Sequence, residues 1–130
     1  MSNEIQKKFT LLLVDDNPNN LNILLNALRN DDYKLLVAKS GEEAIKRAEY
    51  ALPDLILLDV LMPGIDGFET CKILKGNEKT KEIPVILLTN LGQEQDIKKG
   101  KELGADDYFI KANHTPTEIV EKVKDMLSGS

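Results

Sequence analysis

The chain has 130 residues, 42% apolar and 30% charged, with a formal net charge of −5. Those values describe an ordinary single globular domain, long enough to bury a core. Acids and bases are interleaved, which argues against nucleic acid or anionic membrane as main partner, and no apolar run approaches the roughly 18–20 residues that span a bilayer.

The opening segment, residues 1–8, is polar, lacks the apolar centre of a signal peptide and reads as a disordered N-terminal extension. Residues 9–127 read as the folded domain and 128–130 as a tail. The single cysteine, Cys71, has no partner for an internal disulfide and no metal-ligand spacing around it. A cytoplasmic monomer is the plain expectation.

Phe9 to Val14 is an apolar run of strand length ending in Asp15-Asp16. Asn17-Pro18 then supplies a cap and a first-turn proline, and Leu21, Leu24, Leu25 and Leu28 line one face of a helix expected to end near Asn30. Lys34 to Ala38 is a second strand. Ser40-Gly41-Glu42-Glu43 has a capping-box pattern for a second helix, with Ala44, Ile45 and Ala48 inward and Leu52-Pro53 as its stop. Asp54-Leu55-Ile56-Leu57-Leu58-Asp59 places four large apolar residues between two acids, which predicts a strand buried on both faces at the middle of a parallel sheet.

Asp66-Gly67 opens a third helix that turns Phe68, Cys71 and Leu74 inward. Pro84 to Leu88 is the fourth strand, ending at Thr89. A fourth helix over about Glu94 to Leu103 is weakly specified, because an internal glycine, Gly100, costs about 1 kcal/mol relative to alanine. Asp107 to Ile110 is the fifth strand, ending at Lys111. His114 falls in the following loop and reads as a solvated residue. Thr115-Pro116-Thr117-Glu118 combines a capping box with a first-turn proline, and Ile119, Val120, Val123, Met126 and Leu127 face the core from the last helix. Strand and helix alternate five times, which implies an α/β three-layer sandwich on a five-stranded parallel sheet with five helices.

Parallel strands end on one edge, where ligands of open α/β sheets collect. Asp15, Asp16, Asp59, Thr89 and Lys111 all fall there. Three carboxylates repel one another and one lysine cannot neutralise them, so a hard divalent cation on oxygen ligands, Mg²⁺, fits the cluster. Mg²⁺ and Lys111 together suit a phosphoryl dianion, Thr89 adds a hydroxyl, and a carboxylate there is a candidate nucleophile toward phosphorus.

These motifs (Leu13-Val14-Asp15-Asp16, Leu58-Asp59-Val60-Leu61-Met62-Pro63-Gly64 with Asp66-Gly67, Leu88-Thr89, and Gly104-Ala105-Asp106-Asp107-Tyr108 through Lys111) resemble the receiver domain of two-component response regulators, in the stand-alone manner of chemotaxis regulators. The resemblance covers about Phe9 to Leu127. It implies a flavodoxin-like sheet of order 2-1-3-4-5, and phosphorylation of Asp59 by a histidine kinase or histidine phosphotransfer protein. It further implies Mg²⁺ on Asp16, Asp59 and the Leu61 carbonyl, with Asp15 assisting through water. Thr89 and Lys111 would contact the phosphoryl group. Tyr108 would turn inward on activation, its hydroxyl lying in water at rest. The chain would be a phosphoacceptor signalling protein, not a turnover enzyme.

Two residues depart from the family pattern: Asn90 follows the threonine where a small residue is usual, and Ala112 follows the lysine where proline is usual. A trans Lys111-Ala112 bond is expected, with slack taken up before Thr115 and Asn113 able to go left-handed. An aspartate-nucleophile phosphatase fits poorly, because Asn17 and Pro18 stand where its second acid is required. A flavodoxin fits poorly too, because the acidic first loop would repel a flavin phosphate. A receiver-like module that docks without phosphorylation, or a fragment of a larger regulator, remain the alternatives.

Overall fold

A computed structural model describes residues 8–128. The chain runs β1 (Phe9–Val14), α1 (Pro18–Leu28), β2 (Tyr33–Ala38), α2 (Gly41–Ala51), β3 (Leu55–Asp59), α3 (Gly67–Lys75), β4 (Val85–Thr89), α4 (Glu94–Glu102), β5 (Asp107–Ile110), a 3₁₀ turn (Lys111–Asn113) and α5 (Pro116–Leu127). The strands are parallel in the order β2-β1-β3-β4-β5, as expected. Of the expected disordered extension at 1–8 only Lys8 is described, and of the tail only Ser128; the rest lies outside the described residues.

Side chains alternate across the sheet, and the central strands are apolar on both faces. Leu12, Val14, Ile56, Leu58, Val85 and Leu87 meet Ala44 and Ala48 of α2 and Phe68, Cys71 and Leu74 of α3. Leu11, Leu13, Leu55, Leu57, Ile86 and Leu88 meet Leu21, Leu24 and Leu28 of α1 and Ile119 and Val123 of α5. Each fully buried leucine contributes about 1.5–3 kcal/mol of apolar transfer. These two layers fix the sheet and therefore its carboxyl edge.

Helix starts follow the cap chemistry. Asn17 accepts from the amides of Asn19 and Asn20, Ser40 from Glu43, and Asp66 from Glu69. Thr115 and Glu118 complete a reciprocal box. The box at Ser40 is half made: the Glu43 carboxylate reaches past the cap to the Lys39 amide at 2.7 Å. Helix α1 ends at Leu28, short of Asn30, because the Asn30 side chain accepts from the Asp32 amide at 2.8 Å and closes a turn that competes with helix. At the opposite end of the sheet Lys75 Nζ donates to the carbonyls of Lys81 (3.3 Å) and Ile83 (2.7 Å) and to Asp106 Oδ2 (2.9 Å). The same Asp106 oxygen accepts from the Val85 amide at 2.8 Å, so α3, β4 and the entry to β5 are fastened at one point.

Of two loop expectations one holds and one is modified. The Lys111-Ala112 bond is trans, and the slack is absorbed by the 3₁₀ turn; Asn113 does not have positive φ. His114 is not simply solvated: its ring stacks on Phe109 with centroids 4.5 Å apart, and Nδ1 lies 3.0 Å from Glu118 Oε2. No helix among the described residues is long and apolar enough to cross a membrane.

Helix α2 stops because Leu52 precedes Pro53, and a residue before proline is driven out of the right-handed helical region. Leu52 takes the left-handed conformation instead, φ 48° and ψ 61°, and its amide still donates to the Ala48 carbonyl. That conformation costs a residue with a Cβ about 1–2 kcal/mol, and the side chain is largely exposed. Leu52→Gly should therefore stabilise the fold by about 0.5–1 kcal/mol after the glycine entropy penalty. Urea unfolding is expected to give a higher midpoint at unchanged slope, and a lower midpoint would contradict the account.

Candidate functional site

The register of the sheet brings the site together. Val14 pairs with Leu58, Asp59 with Leu88 and Thr89 with Ile110, so Asp15, Asp59, Thr89 and Lys111 each stand at or just past the end of adjacent strands. Carboxylate oxygens of Asp15, Asp16 and Asp59 lie within 4.8 Å of one another. Asp15 and Asp59 are buried, and Asp16 is exposed.

Lys111 joins the two buried acids. Its Nζ lies 3.2 Å from Asp15 Oδ2 and 3.5 Å from Asp59 Oδ1. The other Asp15 oxygen accepts from the Asn17 amide at 2.9 Å, which ties the acid to the start of α1. Asp59 is held from behind by Gly67, whose amide donates to the Val60 carbonyl at 2.8 Å. A Cβ at residue 67 would overlap the Asp59 carbonyl and lie 2.6 Å from Val60 Cα, so only glycine lets α3 start this close to β3.

Burial raises the Asp59 carboxyl to about 6; Lys111 pulls it down, Asp15 pushes it up, and the Val60 amide pulls it down. Desolvation thus outweighs the adjacent ammonium. The donor set is all oxygen and carries more negative charge than one lysine balances, which suits a hard divalent cation and not a soft one.

Thr89 is buried, and its Oγ1 accepts from the Leu91 amide at 3.2 Å. The carbonyl of the same Leu91 accepts from Tyr108 Oη at 2.8 Å. Tyr108 is therefore half-buried, turned inward with its hydroxyl engaged by the backbone and not lying in water. Burial and Asp96 push that hydroxyl up to about 12, so it remains a donor at neutral pH. Leu61 lies in the loop after Asp59 with its side chain largely exposed, and Asn90 is exposed beside Thr89. Asp15, Asp16, Asp59, Leu61, Thr89 and Lys111 fall on this edge, whereas Tyr108 lies within β5, in register with Leu87, and reaches toward the edge through its hydroxyl. Sequence reading missed Leu91, whose part is played by its backbone and leaves no trace in its side chain. Gly67 was read as a motif residue, and its reason is the close approach of α3 to β3.

A family model described as "Response regulator receiver domain" matches residues 11–124. The alkaline phosphatase synthesis transcriptional regulatory protein PhoP of Bacillus subtilis is 41% identical over 120 residues, 92% of this chain and 49% of that protein. The chain thus spans about half the length of that relative. Among solved structures, the phosphorylated cyanobacterial phytochrome response regulator RcpA superposes with a TM-score of 0.83 at 30% identity, covering 94% of this chain and 96% of that one. The Mn²⁺-bound form of the response regulator Rcp1 gives 0.80 at 27% identity, again over 94% and 96%.

The raised carboxyl carries a stability cost. A group whose pKa rises from 3.8 unfolded to about 6 folded favours the folded state below pH 4, and that contribution is lost as pH climbs through 6. In metal-free protein Asp59→Asn should gain up to about 3 kcal/mol at pH 7.5, and much less near pH 4. Urea unfolding in a chelator at both pH values measures this, and an equal gain at both would contradict the assignment.

Proposed function

As the chain belongs to the response regulator receiver domain family, we propose that it is a phosphoacceptor signalling protein whose acceptor is Asp59. The observation that carries this reading is the nearly buried Asp59 carboxylate at the carboxyl end of β3, facing Lys111 Nζ at 3.5 Å within a cluster of three acids. An Asp59 oxygen attacks the phosphorus of a phosphohistidine. The P–N bond breaks, its electron pair goes to the imidazole nitrogen of the donor, and an aspartyl phosphate remains. Lys111, already between two acids, turns its ammonium to the incoming phosphoryl oxygens, and Thr89 offers its hydroxyl to another. Asp16, Asp59 and the Leu61 carbonyl, with Asp15 through water, would hold Mg²⁺, which would supply the remaining neutralisation of phosphoryl charge. Water later returns the carboxylate and releases phosphate, so the chain is a switched acceptor and not a turnover enzyme.

The donor is a histidine kinase or histidine phosphotransfer protein, and the chain works in the cytoplasm as a monomer that phosphorylation can pair. A groove of about 220 Å³ beside Lys111, lined by Asn20, Ile23, Leu24, His114, Pro116 and Ile119, offers apolar surface next to the acceptor for the element that carries the donor histidine. Phosphorylation then changes which partner the α4–β5–α5 face binds. A second reading is docking without phosphorylation, favoured by Tyr108 lying inward on the Leu91 carbonyl. A partner that binds Asp59→Asn as tightly as the phosphorylated protein would favour that second reading.

Intact mass after treatment with phosphoramidate and Mg²⁺ tests the acceptor. One phosphoryl adduct is expected, labile in the manner of an acyl phosphate, and lost with chelator or in Asp59→Asn. Undiminished labelling of Asp59→Asn would overturn the proposal. Lys111→Ala should still take label, at a rate lower by about tenfold or more, because one charge-assisted contact to the phosphoryl is gone.

A further inference from the structure

Helix α4 contains a feature that its own stability does not explain. It lacks a side-chain cap at Gln93, and Gly100 in its interior costs about 1 kcal/mol relative to alanine. Gly100 is buried, and a Cβ there would come to 2.9 Å from Tyr108 Cδ2, 3.0 Å from Leu87 Cδ1 and 3.3 Å from Tyr108 Cε2. The Tyr108 ring occupies the space that any other side chain at 100 would need. From that ring the contacts run on: Tyr108 Oη to the Leu91 carbonyl at 2.8 Å, and the Leu91 amide to Thr89 Oγ1 at 3.2 Å.

We propose that Gly100 is a positioning residue for Thr89: by leaving a slot in α4 for the Tyr108 ring, it holds the Tyr108 hydroxyl on Leu91 and so sets where the Thr89 hydroxyl stands at the acidic edge. This rests on the reading that Thr89 meets the phosphoryl group. A Cβ at 100 displaces the ring, since the other close neighbour, Leu87, is in the core with 0% exposure and has nowhere to go. The displaced ring takes its hydroxyl off Leu91, and the turn from Thr89 to Leu91 loses one of its two anchors. Helix α4 thereby communicates with the site through the size of one residue. A purely structural glycine, needed only to let α4 lie close to Leu87, would act without Tyr108, and this difference makes the proposal testable.

Amide NMR spectra of metal-free wild type, Gly100→Ala, Tyr108→Ala and the double variant decide it. Gly100→Ala should move the Thr89 and Leu91 resonances and speed Leu91 amide exchange, and the same substitution should leave both unchanged when Tyr108 is already alanine. Unmoved resonances in Gly100→Ala, or equal movement in both backgrounds, would overturn the proposal. If Gly100→Ala fails to fold by circular dichroism, recovery in the double variant supports the slot, and failure of both variants overturns it. A second arm uses beryllofluoride with Mg²⁺ as phosphoryl mimic: Gly100→Ala should weaken its binding by about five- to tenfold, again only where Tyr108 is present. Failure of wild type to bind the mimic would count against the phosphoacceptor reading, while the metal-free amide spectra still decide the part played by Gly100.

Discussion

Two carboxylates buried side by side, bridged by a single ammonium, are the constraint on which the rest of this molecule depends. Asp15 and Asp59 sit at the ends of neighbouring strands, and Lys111 reaches both. A pair of acids so placed is unfavourable in a bare protein, because one lysine cannot satisfy two desolvated charges and a third acid stands at the rim. The fold tolerates this because the strain is confined to one edge, beneath which the sheet is apolar on both faces. A site that is uncomfortable when bare is correspondingly receptive to positive charge, and then to an anion that brings further oxygen ligands to it.

The fold holds that edge open by fastening the other one. Lys75 and Asp106 gather α3, β4 and the entry to β5 at the amino end of the sheet, far along the strands from the acids. Gly67 does the complementary work at the carboxyl end, letting α3 start against the backbone of Asp59. Between them β3 and β4 have little freedom. Helix α4, by contrast, begins without a side-chain cap and carries a glycine in its middle. Local stability is thus distributed unevenly, with the less secure element on the side of the site reached through Thr89 and Leu91.

Much of this was legible in the sequence. Apolar runs ending in Asp15, Asp59, Thr89 and Lys111 placed the strands, and cap residues at Asn17, Ser40, Asp66 and Thr115 placed the helix starts. Parallel order then made the convergence of the acids a matter of geometry. What escaped depended on competition between local bonds. Helix α1 was read as ending near Asn30, but the Asn30 side chain makes a turn of its own. Glu43 was read as the reciprocal half of a capping box, but its carboxylate bonds Lys39. His114 was read as solvated because nothing in the sequence says that Phe109 and Glu118 stand on either side of it. The acceptor of the Tyr108 hydroxyl was hidden for a similar reason, since it is a backbone carbonyl.

That carbonyl belongs to Leu91, whose amide serves Thr89 and whose oxygen serves Tyr108. Both groups are common to every amino acid but proline, which lacks the amide. Position 91 therefore carries this connection in its backbone whichever side chain it bears, while the leucine side chain itself packs against the core. Mutational scanning there would report the packing of the leucine side chain and, proline aside, leave the backbone connection unseen. The route from the acids to the flank of the molecule is written in the path of the chain, and the identities of the residues along it are partly free to drift.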